Sequence, residues 1–292
     1  MQEQSTPPEV IVRETEMVTG IVGSAANVVF EDEGWDSRVY LVDGGRAVFK
    51  FPRSPEVRDH YATEIGFLRA LEPLDLPVWT PRVRWTGPDF AYFGYEGLPG
   101  SAPTATVLAD DAARIGDAVG AFARALHTHA PTDLRVVTVD DEIAGLQAQW
   151  DDAAPIVAAR FDAGERARLD EYYRDVLPAE LRRLGGDPRP CHGDLGPWNL
   201  VLADDGRIGV IDFGDIAIVD RSQDLCGLDH PLALDAALEA YGDAPGLREK
   251  AAFRATAVLV MDLLFFAGKR DPARLDVCVE RVRRLVLGQY FT

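Results

Sequence analysis

The chain has 292 residues, with 30 basic and 48 acidic side chains and a formal charge of −18. That length suits one large domain or two small ones, and a 47% hydrophobic content is enough for a packed core, so disorder is not expected. A surface this acidic repels nucleic-acid phosphates and draws cations, so no nucleic-acid partner is expected.

Residues 1–9 are polar, with paired prolines, and are expected to fray. Residues 10–20 read as a short helix or strand. From residue 26 the pattern turns to β: ANVVFEDE, SRVYLVDG and RAVFKFP are apolar runs separated by Gly and Asp turns. Asp43-Gly44-Gly45 suits a hairpin turn, because glycine takes positive φ without strain. Ser54-Pro55-Glu56 opens a helix that runs to about Leu71, with Tyr61, Ile65, Leu68 and Leu71 on its apolar face. PRVRWTG and DFAYFGYEG supply two more strands. Gly94–Gly100 is rich in Gly and Pro and separates a β half from a helical half. Beyond it, 106–129, 139–161, 164–184, 231–241, 246–268 and 272–288 read as helices, with Pro178 kinking or ending the third.

No run of about 18 apolar residues is found, so no membrane span is expected. The run at 258–268 is interrupted by Asp262 and reads as a core helix. The N-terminus has neither the basic region nor the apolar stretch of a signal peptide. Cys191, Cys226 and Cys278 contain no C-x-x-C pair, which argues against a disulfide framework or zinc site and for a reducing, cytoplasmic setting. The remaining histidines, His60, His127, His129 and His230, show no metal-ligand spacing.

Residues 191–215 carry the chemistry. They hold His192, Asp194, Asn199 and Asp212 in the order H-x-D-x-x-x-x-N…D-F-G. Phosphoryl transfer asks for a carboxylate beside the attacking hydroxyl, an amide oxygen for Mg²⁺ and a second carboxylate on the metal, and these residues supply those groups in that sequence. Upstream, strand alternation turns Lys50 away from Phe49 and Phe51, towards the helix that carries Glu64. A strand Lys held by a helix Glu aims an ammonium at nucleotide phosphates.

The segment HGDLGPWNLVL…IDFGD resembles the catalytic segment of the aminoglycoside phosphotransferase family, relatives of the eukaryotic protein kinases. Gly34-Trp35-Asp36, followed by VYLV and FKFPR, is similar to the small lobe of those enzymes, which extends the resemblance over residues 30–100. The resemblance implies an α+β, protein-kinase-like two-lobed fold. A small antiparallel five-stranded lobe would occupy 1–95 and a helical lobe 96–292, with a hinge at 94–100 and the catalytic loop at 191–203. It implies ATP or GTP as donor, Mg²⁺ as cofactor, and a small, cationic acceptor. Asp194 would orient the acceptor hydroxyl, and Asn199 and Asp212 would hold metal. Lys50, Glu64, Ser37, Tyr95 and Glu96 would serve the nucleotide. His192, Asp215 and Asp224 would support the loop, and Asp229, Glu239 and Asp262 would face the acceptor. Trp35 would either cap the sheet edge or lie over the nucleotide.

The expected substrate is an aminoglycoside. The alternatives are a macrolide, a peptide antibiotic or a metabolite alcohol. A non-catalytic binding module would lack Lys50, Asp194, Asn199 or Asp212, and all four are present. A protein kinase is disfavoured, since Gly193 stands where those enzymes have Arg and Asp212 to Asp224 leaves no room for a long activation loop. The expected assembly is a monomer or weak dimer.

Overall fold

The computed structural model describes residues 6–290, apart from 33, 132, 229, 243 and 270. A first helix, α1 (Pro8–Val22), precedes strands β1 (Val28–Glu31), β2 (Ser37–Val42) and β3 (Ala47–Pro52). Helix α2 (Pro55–Leu71) follows, then β4 (Arg82–Thr86) and β5 (Phe93–Glu96). The strands form one antiparallel sheet in the order β1-β2-β3-β5-β4. The turn between β2 and β3 carries positive φ at Asp43, Gly44 and Gly45, as its glycines foretell. Ser54 caps α2 by accepting from Val57 N, with Pro55 in the first turn.

Helix α1 settles the choice left open at 10–20. It begins at Pro8, within the stretch expected to fray, because proline fits the first turn. It covers one face of the sheet, where Val18 packs with Tyr40, Val42, Phe49 and Phe51. Glu14 reaches across to Arg38 Nη2 at 2.7 Å and to Tyr40 Oη at 2.9 Å. Helix α2 covers the other face, with Tyr61, Ile65 and Leu68 in one core with Val48 and Phe93. Strand β3 is therefore buried along nearly its whole length, with Phe49 and Phe51 towards α1 and Val48 and Lys50 towards α2.

The helical lobe starts with α3 (Ala105–Asp110), α4 (Ala112–His129), α5 (Val139–Asp152), α6 (Ala154–Arg160), α7 (Ala163–Glu171) and α8 (Leu177–Leu184). The helix expected over 139–161 is interrupted at Ala153, just before Pro155, which removes an N–H and crowds the preceding turn. Pro178 ends the regular part of its helix, as expected, without breaking the helical course of the chain. A single π turn over Tyr172–Val176 joins α7 to α8, with Leu177 N–H donating to Tyr172 O, so the chain stays helical through the proline.

Strands β6 (Pro188–Cys191) and β9 (Ala217–Asp220) pair antiparallel, as do β7 (Leu200–Leu202) and β8 (Ile208–Val210). Helices α9 (Pro231–Tyr241), α10 (Leu247–Ala257), α11 (Leu259–Gly268) and α12 (Pro272–Val282) complete the lobe. Together α10 and α11 form a 22-residue stretch, Leu247–Gly268, that is long and apolar enough to cross a membrane by those measures alone. One side of it packs into the core, which includes the run at 258–268. Leu259, Val260 and Leu263 lie in one cluster with Trp150 and Tyr172, and the fully buried Arg254 pairs with Glu142 Oε2 at 2.7 Å.

Candidate active site

The site forms where the sheet lobe meets the two short two-stranded sheets of the helical lobe. Strand β6 delivers His192, Gly193 and Asp194, and a short 3₁₀ turn places Asn199 at the head of β7. Strand β8 delivers Asp212 from the opposite side, and Ile211 N donates to Asn199 O at 3.0 Å. The β7–β8 hairpin, enclosed in sequence between the paired strands β6 and β9, thus brings the three motif groups to one place.

Lys50 ties the two lobes together. It is 7% exposed, and its Nζ lies 2.9 Å from Glu64 Oε1 and 3.0 Å from Asp212 Oδ1, 162 residues away. Burial opposes the ammonium charge, but the Asp212 and Glu64 carboxylates more than offset it and raise the Lys50 pKa well above its ordinary value. The same ammonium holds the Asp212 carboxyl below the usual carboxylate range. Asp212 has φ of 64°, a conformation side chains rarely adopt, and the bond to Lys50 helps fix it there.

Asp194 is held by one oxygen. Its Oδ2 accepts from Trp198 Nε1 at 3.0 Å and from Asn199 Nδ2 at 2.9 Å. Among the described residues none donates to its Oδ1, which is left for an incoming donor. The surrounding protein, with Asp215 and Asp212, pushes its pKa up to about 7, against the lowering effect of the Trp198 and Asn199 hydrogen bonds. Asn199 spends both donor contacts on Asp194, to Oδ2 and to the backbone O at 2.8 Å, which leaves its side-chain oxygen as an acceptor. That oxygen and the Asp212 carboxylate are hard donors of the kind a divalent cation such as Mg²⁺ takes. Burial and nearby carboxylates raise Asp215 and Asp36 as well.

His192 is fully buried, and both ring nitrogens are committed to backbone. Its Nε2–H donates to Ile211 O at 3.0 Å, and its Nδ1 accepts from Asp194 N at 3.3 Å. A ring so occupied braces the loop and has no lone pair for a substrate proton. Asp224, also fully buried, accepts from His192 N at 3.0 Å and Gly193 N at 2.9 Å. Gly193 has φ of 92°, and a Cβ there would lie 2.3 Å from Asp215 O, so only glycine lets the loop pass this close.

Asp224 has a further partner that sequence spacing does not reveal. His127 Nε2 lies 3.0 Å from its Oδ2, and His127 Nδ1 lies 2.9 Å from Tyr241 Oη. Cys191 Sγ stands 3.5 Å from the same His127 Nε2. The potential ligand atoms of His127, Cys191 and Asp224 come within 4.8 Å of one another, a grouping absent from the linear pattern of histidines. Each of the three already bonds within the protein, so the group acts as a brace behind the loop.

Burial alone would raise the Asp224 carboxyl, but the hydrogen bonds from His127 and Gly193 N more than offset this and hold it below the usual carboxylate range. Its contribution to stability is therefore fully present above the unfolded value of about 3.9 and is lost as pH falls through the lower folded value. Asp224→Asn is expected to cost about 3–5 kcal/mol at pH 7, as for breaking a buried charged contact. The gap from wild type should narrow below about pH 4. Urea unfolding across pH 2.5–7 measures this, and a constant gap over that range would refute it.

Several residues expected at the site do other work. Ser37 is 4% exposed, and its Oγ lies 2.7 Å from Tyr61 Oη. It is turned inward by β2 and spent on α2, so it is not presented to a phosphate. Tyr95 is buried in the sheet opposite Val48, and the Glu96 carboxylate pairs with Arg84 Nε at 3.0 Å. Glu239 lies on the exposed side of α9. Asp262 Oδ2 pairs with Arg281 Nη1 at 3.0 Å, which answers the charge on α11 from within the protein. Asp229 lies outside the described residues.

Trp35 packs against the helical lobe. Its ring stacks on Phe265 of α11, with centroids 5.1 Å apart and an interplanar angle of 21°. Lys269 Nζ donates to Asp32 O at 3.1 Å beside it. The β1–β2 loop therefore reaches across to the helical lobe.

The family model described as the phosphotransferase enzyme family (APH) matches residues 29–255. The chain belongs to that family. The phosphotransferase is also similar to solved structures that share its fold. One is the GDP and kanamycin complex of APH(2″)-IIIa, at 22% identity and a TM-score of 0.76, covering 96% of this chain and 100% of that one. Another is the macrolide 2′-phosphotransferase MphH from Brachybacterium faecium, at 21% identity and a TM-score of 0.61, covering 94% and 97%. A third is the choline kinase LicA from Streptococcus pneumoniae, at 16% identity and a TM-score of 0.67, covering 96% and 99%. A search of curated proteins finds no match. The two-lobed kinase-like fold expected from the motifs is the fold observed, and the enzyme is a phosphotransferase.

Proposed function

We propose that this phosphotransferase moves the terminal phosphoryl group of ATP or GTP to a hydroxyl of an antibiotic, an aminoglycoside in the first place, and so confers resistance. The observation that carries the reading is the placement of Asp194, with one oxygen fixed by Asn199 and Trp198 and the other open. Oδ1 accepts the hydrogen bond of the acceptor hydroxyl and takes its proton late, since a loose transition state gains little from early deprotonation. Lys50, held by Glu64, meets the donor phosphates. Asn199 and Asp212 would hold Mg²⁺, which neutralises phosphate charge when bound.

A cationic acceptor is favoured by the carboxylates of Asp194 and Asp215, which lie together at the catalytic loop. A macrolide is the second reading, favoured by the half-exposed rings of Trp35 and Trp198. A coupled NDP-release screen with ATP and GTP, against aminoglycosides, macrolides and metabolite alcohols, tests the proposal. The largest acceptor-dependent rate is expected with an aminoglycoside. Rate enhancement by uncharged alcohols alone would overturn it.

A further inference from the structure

Trp198 stands within the catalytic segment, yet the motif chemistry assigns it nothing. Three observations define its place. Its indole N–H donates to Asp194 Oδ2 at 3.0 Å. A Cβ at Gly196 would lie 2.3 Å from its Cζ2, so the ring is seated on a glycine that leaves it room. Even so, the residue is 55% exposed, which is unusual for a large aromatic fixed on two sides. A rigid indole, tied at one edge to the group that receives the acceptor hydroxyl and open elsewhere, is placed to touch whatever carries that hydroxyl.

We infer that Trp198 is an acceptor-binding residue on which an amino-sugar ring stacks by its C–H face, with the reacting hydroxyl of that ring directed at Asp194. The inference rests on the reading of Asp194 as the group that faces the acceptor. An aromatic face attracts apolar C–H surface and, within about 6 Å, an ammonium, and an amino sugar offers both. The carboxylates nearby favour the same cation. The indole then has two separable tasks. Its ring contributes to acceptor binding, and its N–H keeps the Asp194 carboxylate in position.

Steady-state transfer to two cyclic acceptors, kanamycin and methyl α-D-glucopyranoside, is compared with transfer to acyclic sorbitol and glycerol. Wild type and Trp198→Ala, Trp198→Leu and Trp198→Phe are assayed. Wild type should prefer the cyclic acceptors. Trp198→Ala should raise their KM about tenfold and reduce the cyclic-to-acyclic preference by a similar factor. Trp198→Leu fills the space over Gly196 without a π face and should behave as Ala does, which keeps the test decisive if the alanine variant does not fold. Trp198→Phe keeps a ring and loses the N–H. It should leave the cyclic KM within about threefold and lower kcat about tenfold, as for loss of one hydrogen bond to a charged group.

An unchanged cyclic KM in Trp198→Ala and Trp198→Leu overturns the inference. Equal KM effects in Phe and Ala do so too, as does wild-type transfer to acyclic acceptors alone. Failure of wild type to turn over ATP or GTP with any acceptor would instead reject the phosphotransfer reading of Asp194, and the inference with it.

Discussion

Asp194→Ala is expected to lower kcat by about 10²–10⁴-fold on any confirmed acceptor while the nucleotide KM stays close to wild type. The carboxylate is fixed through Oδ2 by Trp198 and Asn199, so what the substitution removes is an oriented Oδ1 and its charge. Asp194→Asn keeps the shape and removes the charge, and should lose nearly as much. The proposed anchor for the phosphates is elsewhere, on Lys50, which is why binding of the donor should persist. Asp212→Ala offers the contrast. It removes a proposed metal ligand and the partner of Lys50 together, so Mg²⁺-nucleotide binding itself should weaken. Retention of more than about a tenth of wild-type kcat by Asp194→Ala, well short of the expected range, would transfer the role to a neighbour such as Asp215.

Lys50→Ala should have the second large effect, and it should act on activity and stability together. Loss of the ammonium is expected to lower kcat by about 10²-fold, as for loss of one preorganised donor, and to raise the nucleotide KM. Glu64 is 4% exposed and would be left as a buried carboxylate without its cation, at a cost of about 3–5 kcal/mol. The double variant Lys50→Ala, Glu64→Gln separates the two effects. It should recover part of the stability in urea unfolding and none of the activity, because a neutral amide tolerates burial but supplies no charge to the phosphates. A single Lys50→Ala variant with the wild-type nucleotide KM would remove Lys50 from the phosphate site.

Much of this molecule is legible along the chain because its chemistry is local. His192 and Asp194 lie on the loop after β6, and Asn199 and Asp212 at the two open ends of the β7–β8 hairpin that follows, so one short segment carries them all to one place. Strand alternation was enough to turn Lys50 away from Phe49 and Phe51, and a proline behind a capping serine was enough to start α2 beside it. The five strands, the helix between them and the change to helices near Gly94–Gly100 follow from period and turn chemistry alone.

What the chain pattern leaves open is decided by contacts between distant segments. His127 meets Asp224 across 97 residues, and nothing in the spacing of either announces it, because a helix face and a loop come together only when the core closes. Ser37 looks like a phosphate donor until Tyr61 of α2 claims its hydroxyl. Asp262 looks like an unanswered charge until Arg281 of α12 packs beside it. Trp35 finds Phe265 only because the two lobes face each other across the cleft. Sequence period reports which face of an element is apolar, and motif spacing reports groups carried by one short segment. Which polar group answers which depends on how the elements pack, and there burial and hydrogen-bond satisfaction make the choice.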